Sequence, residues 1–152
     1  MQPRLNFYTA DPASLNAMLA LEKHLRTCGF PSALYELVRI RASQINGCAF
    51  CLDMHTRDAR AHGETEQRLH LLAAWRESPL FTDRERAALA WTEALTLVAQ
   101  SHAPDDAYAA VRAHFDDREL VQLSLLIGAI NTWNRLAIGF RSVHPVAAPP
   151  AA

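Results

Sequence analysis

The sequence predicts an all-α single domain of about seven helices. Three observations carry that expectation. Apolar residues recur at helical spacing in nearly every segment between proline or glycine breaks. Helix-capping residues stand where those segments begin, and no stretch of convincing length alternates apolar with polar residues as a half-buried strand does. At 152 residues the chain suits one domain and can bury roughly 70% of its unfolded surface.

Asp11-Pro12 supplies an N-cap and a first-turn proline, and Leu15, Met18 and Leu19 then separate from Glu22 and Arg26, which predicts a first helix ending near Cys28-Gly29. Phe30-Pro31 breaks the chain. Ser32 opens a second helix, with Leu34, Leu37, Val38, Ala42 and Ile45 near helical period and Asn46-Gly47 as a left-handed stop. Arg39 and Arg41, on this helix, are expected to face solvent or a partner subunit. A third helix runs from near Cys48 to Gly63 through Cys51, Leu52, His55, Ala59 and His62. A short fourth follows Glu64-Thr65-Glu66 through Leu69 and Leu72 to about Trp75, and Ser78-Pro79 ends it.

Thr82-Asp83-Arg84-Glu85 reads as a capping box for a fifth helix with Ala87, Ala88, Trp91, Ala94, Leu95 and Val98 along one stripe. Asp105-Asp106 is expected to cap a brief sixth through Tyr108, Val111 and Phe115. Asp116-Asp117 starts the longest, whose Leu120 to Ile130 stretch leaves almost no polar face and is expected to be buried on every side, centrally or at a subunit interface. Asn131 to Arg135 is expected to end that run, its polar groups tying the helix to the Glu36 hairpin or to a neighbour. The domain is placed at 1–144, with a frayed Pro- and Ala-rich tail at 145–152.

A formal charge of −1 and scattered arginines argue against nucleic acid as a partner. No run of about twenty uncharged apolar residues predicts a membrane span and no secretory leader is evident, so a soluble, cytoplasmic protein is expected. Three cysteines with one close pair do not make an extracellular disulfide framework. Cys28 reads as a small, partly buried hydrophobe, and His62, His70 and His102 as exposed or structural.

The stretch that carries chemistry is ELVRIRASQINGCAFCLDMH, from Glu36 through Cys48 and Cys51 to His55. At roughly 100° per residue, Cys48, Cys51 and His55 fall within about 60° of one another on one helix face. An antiparallel hairpin turning at Gly47 brings Glu36 to a similar depth. A thiol near a helix N-terminus gains thiolate stability, and an imidazole held by a carboxylate can relay its proton.

Glu36, the Gln44-Ile45-Asn46-Gly47 turn and Cys48-x-x-Cys51-x-x-x-His55 resemble the signature of the alkyl hydroperoxidase D-like branch of the carboxymuconolactone decarboxylase superfamily. The similarity extends more weakly to TDRERAALAWTEALT and INTWNRLAIGF. The resemblance implies a thiol peroxidase in which Cys51 attacks a hydroperoxide, Cys48 resolves, and Glu36 and His55 relay the proton, without a cofactor. It further implies a dithiol reductant, a lipoylated or thioredoxin-like protein, and a homo-oligomer, trimer or hexamer. One departure stands out: the best-described members carry a histidine between the cysteines, where this chain has Ala49-Phe50. Two other readings stay open. Glu36, Cys48, Cys51 and His55 include enough ligand types for a structural zinc module, and the superfamily's other named branch decarboxylates a lactone acid, which leaves both cysteines unexplained.

Overall fold

The computed structural model describes residues 2–146. Among them the regular structure is entirely helical. It comprises α1 (Phe7–Ala10), α2 (Pro12–Arg26), α3 (Ser32–Asn46), α4 (Ala49–Ala61), α5 (Glu66–Leu71) with a 3-10 turn at Leu72–Ala74, α6 (Asp83–Thr96), α7 (Val98–Ser101), α8 (Asp105–Arg112) and α9 (Asp117–Phe140). The seven expected helices are present, and two single-turn helices, α1 and α7, are added. The expected tail at 145–152 lies outside the described residues except for Pro145 and Val146.

Local chemistry sets most boundaries. Asp11 accepts from the Ser14 amide ahead of Pro12. Thr82 and Asp116 each accept from an amide three residues on, while Glu85 and Glu119 reach back to complete capping boxes. The acidic pair before α8 does not cap it: Pro104 occupies the N-cap, and Asp105 and Asp106 fill the first turn, where they favour the helix dipole instead. The α6 stripe breaks after Thr96, so Val98 belongs to α7.

The centre of the bundle is α3, not α9. Residues 34–40 of α3 are all buried, because α4, α6 and α9 each pack along it. Leu34 and Val38 join Leu25, Trp91, Leu123 and Ile127 in one core. Leu37 and Ile40 join Leu69, Leu72, Phe81 and Leu89 in a second, and Ala42 meets Cys48, Cys51, Ile130 and Ala137 in a third. By contrast α9 leaves Val121 and Leu125 exposed to solvent, so the expectation that it is covered on every side fails within one chain.

The apolar run gives way to polar residues from Asn131, and α9 continues through them to Phe140. The polar run is tolerated because its groups are satisfied inside. Asn131 Nδ2 donates to Thr96 Oγ1 and Ile127 O, and Asn134 Nδ2 to Ser43 Oγ. Asn46 Nδ2 donates to Oδ1 of both asparagines. Those last bonds join α9 to the end of α3, the tie to the hairpin that the sequence led one to expect.

Arg39 and Arg41 depart from expectation. Arg39 is buried against Glu22, and Arg41 is half-buried with Nε 2.8 Å from Glu93 Oε1. Both arginines sit on a helix covered on nearly all sides, so their charges need internal carboxylates.

Candidate active site

The α3–α4 hairpin turns at Gly47, whose φ of 69° lies in the left-handed region. Its amide donates to Gln44 O and that of Cys48 to Ser43 O, a Schellman closure that satisfies the last carbonyls of α3. Cys48 is thereby the N-cap of α4. One turn on stands Cys51, and one turn further His55.

All four expected residues are buried, and they meet as two pairs. The Cys48 and Cys51 sulfurs, both free thiols, lie 2.8 Å apart. His55 Nδ1 is 2.9 Å from Glu36 Oε2. A carboxylate in that position can fix the imidazole tautomer and orientation. Asp58, one turn beyond His55, adds a second carboxylate whose ligand atoms come within 4.8 Å of those of Glu36 and His55. Neither thiol belongs to that group, so the zinc set of Glu36, Cys48, Cys51 and His55 is not drawn together among the described residues.

The two thiols differ electrostatically. Cys48 is lowered from 9.0 to about 7, first because it shares a hydrogen bond with the Cys51 thiol. Burial opposes that, while the first-turn amides of Cys51 and Phe50 and the Asn134 side chain assist. Cys51 is pushed up by the same shared proton, then by burial and by the negative charge of Cys48; Asn134 and the Arg39 guanidinium act against the rise. The pair thus loses one proton readily and holds the second.

The thiols also open on different spaces. Cys51 and His55 line a cavity of about 370 Å³ whose apolar wall is Phe7, Leu19, Phe50, Met54, Trp133 and Ala137. Cys48 instead borders a separate depression with Arg4, Gly47, Ala49 and Arg141. Phe50 stands between the two, lining both.

Several site residues were not found from sequence. The N-terminal arm is pinned to the end of α9 by the Arg4 amide donating to Phe140 O and by its guanidinium donating to Gly139 O. That pinning carries α1 onto the cavity, where the Tyr8 ring stacks 6.3 Å from that of Trp133. Burial raises the Tyr8 pKa, and the nearby Cys51 charge adds to the rise. Arg39 and Glu22 form the buried charged part of the wall. Glu22 Oε1 accepts from Trp133 Nε1 at 2.9 Å, and Oε2 from Tyr35 Oη at 3.2 Å and from Arg39. The guanidinium lies 4.1 Å over the Tyr35 ring. One signal was available: LYELVRI places apolar residues on both flanks of Glu36 and Arg39, leaving no solvent face for either charge.

Residues 12–94 match the family described as the carboxymuconolactone decarboxylase family. A Bacillus subtilis (strain 168) relative, the uncharacterized protein YdfG, is 44% identical over 91% of this chain and 94% of its own. A crystal structure from Agrobacterium tumefaciens superimposes with a TM-score of 0.93 at 49% identity, over 96% of this chain and 100% of that one. It is described as a protein of unknown function and a candidate AhpD antioxidant-defence protein. An uncharacterized peroxidase-related protein from Silicibacter sp. TM1040 has a TM-score of 0.76 at 25% identity, over 88% of this chain and 71% of that chain.

Proposed function

The chain belongs to the carboxymuconolactone decarboxylase family, as an alkyl hydroperoxidase D-like member, and from that premise we propose that it reduces organic hydroperoxides through the Cys48–Cys51 dithiol. The observation that carries this reading is the opening of Cys51, 2.8 Å from Cys48, onto an apolar cavity that His55 shares. The antioxidant and peroxidase-related descriptions of the Agrobacterium and Silicibacter proteins agree with it.

The dithiol pair carries one negative charge near neutral pH. A proton passing from Cys51 to His55 gives the Cys51 thiolate and an imidazolium. That thiolate attacks the terminal oxygen of the hydroperoxide and breaks the O–O bond. The alkoxide takes a proton from the imidazolium and leaves as the alcohol, and Cys51 becomes a sulfenic acid. Cys48 thiolate then attacks the Cys51 sulfur, forming the disulfide and expelling hydroxide, which takes a proton from solvent and leaves as water. A donor dithiol, from a lipoylated or thioredoxin-like protein, returns two electrons and two protons and is itself oxidised to a disulfide. Its approach to Cys48 through the second depression keeps the two half-reactions on separate sides of Phe50. Glu36 fixes the tautomer and orientation of His55 throughout. We propose in addition that copies self-associate and that the protein works in the cytoplasm.

The test is stopped-flow consumption of cumene hydroperoxide by pre-reduced protein, with thiols counted before and after one turnover. The expected result is loss of two thiols per chain, abolished in Cys51→Ser, while Cys48→Ser stops at a sulfenic acid trapped by dimedone. Full peroxide consumption by Cys51→Ser removes Cys51 as the nucleophile.

A further inference from the structure

The cavity that holds Cys51 carries more positive charge than a neutral alkyl hydroperoxide needs. Four charged groups line it: Glu22, Lys23, Arg26 and Arg39. The single carboxylate among them is consumed by Arg39, Tyr35 and Trp133, so it offers no counter-charge to anything entering. Arg39 is nine-tenths buried and more, and its Nε is the one buried side-chain nitrogen or oxygen without a partner among the described residues. Lys23 and Arg26 stand three residues apart on α2, both exposed, and have no ion-pair partner among the described residues. Arg41, Arg60, Arg68, Arg76 and Arg84 each have a carboxylate, whereas Arg4, Arg86 and Arg135 donate to uncharged oxygens instead. Lys23 is also the only lysine in the sequence. Their place in the last turn of α2 complements its dipole, but that would serve equally on the face turned away from the cavity.

We propose that the site takes amphiphilic anions: an apolar chain or ring system ending in a carboxylate, as in a fatty-acid hydroperoxide. The apolar body fills the space between Leu19, Met54, Phe50 and Trp133 with its peroxide at Cys51, and the carboxylate is held by Lys23 and Arg26 at the mouth. Arg39, in the wall, is paired with Glu22, so the uncompensated positive charge at the cavity is that of Lys23 and Arg26. A volume near 370 Å³ falls in the range of small-molecule sites. This substrate class rests on the peroxidase reading, but the binding part of it does not.

Two measurements separate the proposal from that reading. The first is calorimetric titration of the reduced wild-type protein with decanoate and, in parallel, decanol. Decanoate is expected to bind and to weaken as salt is raised, since contacts at an exposed rim are screened. Lys23→Gln with Arg26→Gln is expected to weaken it roughly five- to tenfold, in keeping with two exposed charge pairs, and Lys23→Glu with Arg26→Glu to weaken it further. The second compares kcat/KM for linoleic acid hydroperoxide with that for its methyl ester. The acid is expected to be favoured in wild type, and the ratio to collapse toward one in the double variants. Decanoate binding no tighter than decanol, or unchanged in the charge-reversed variant, overturns the proposal whatever the enzyme does with cumene hydroperoxide. Decanoate bound as expected in a protein inert toward every hydroperoxide keeps the anion site and discards the peroxidase.

Discussion

At the scale of single residues, the two thiols differ in acidity and open on different spaces. Cys51 faces the cavity, whereas Cys48 is the one lowered to about 7. The first cause of that lowering is the bond to Cys51, with the helix amides and Asn134 as lesser contributions. The sign is then fixed. Thiolate is present above about pH 7 and falls roughly tenfold for each unit below it, and peroxide reduction should follow the same rise. Ultraviolet thiolate absorbance should titrate with a midpoint near 7 in wild type and move up toward the ordinary value of 9.0 in Cys51→Ala. A midpoint that stays put in that variant assigns the shift to the α4 N-terminus and Asn134 instead. The Cys48–Cys51 and Glu36–His55 pairs were legible in the sequence because helical period and hairpin geometry bring each pair together. Glu22, Trp133 and Tyr8 were not, because their approach depends on how α1, α2 and α9 dock. Nothing in the spacing between Glu22 and Trp133 encodes that docking.

At the scale of elements, the hairpin turn holds the site in register. Gly47 adopts φ 69° with ψ 33°, a conformation that costs other L-residues roughly 1–2 kcal/mol. No atom lies within 4 Å of where its Cβ would stand, so steric clash adds nothing and the backbone cost acts alone. Gly47→Ala should therefore lower stability by about 1 kcal/mol and the melting temperature by about 2–4 °C, with the fold intact by circular dichroism. An unchanged melting temperature would show that α3 and α4 are held by packing on α6 and α9 and that the turn follows. Element boundaries were legible wherever a cap is local, as at Asp11, Thr82 and Asp116. They were not legible where a distant partner decides: α9 runs on through Asn131 and Asn134 because Asn46, Ser43 and Thr96 satisfy their amides.

At the scale of the whole molecule, all four dithiol-site residues and the charged cavity wall come from one chain, so self-association is not needed to assemble them. What one chain leaves unfinished lies elsewhere. Val121 is 60% exposed, Val98 50%, Tyr108 48%, Leu97 and Leu125 43%. Tyr108, Val121 and Leu125 border one surface depression with Trp91. Scattered apolar residues are ordinary on a protein surface, but a contiguous patch marks an interaction face. It also accounts for the apolar character of α9 that the sequence displayed: half of that helix faces the core, and the other half faces outward beside α8. If a second copy covers this face, placing carboxylates there costs several kcal/mol of desolvation at the interface and little in the isolated chain. Val121→Asp with Leu125→Asp should shift the mass measured by light scattering after size-exclusion chromatography from a multiple of the chain to a single chain. Helicity should be retained, and so should thiol reactivity, since neither residue touches the Cys51 cavity. A wild-type protein that already runs as a single chain, or a double variant of undiminished mass, would assign these apolar residues to no self-association surface.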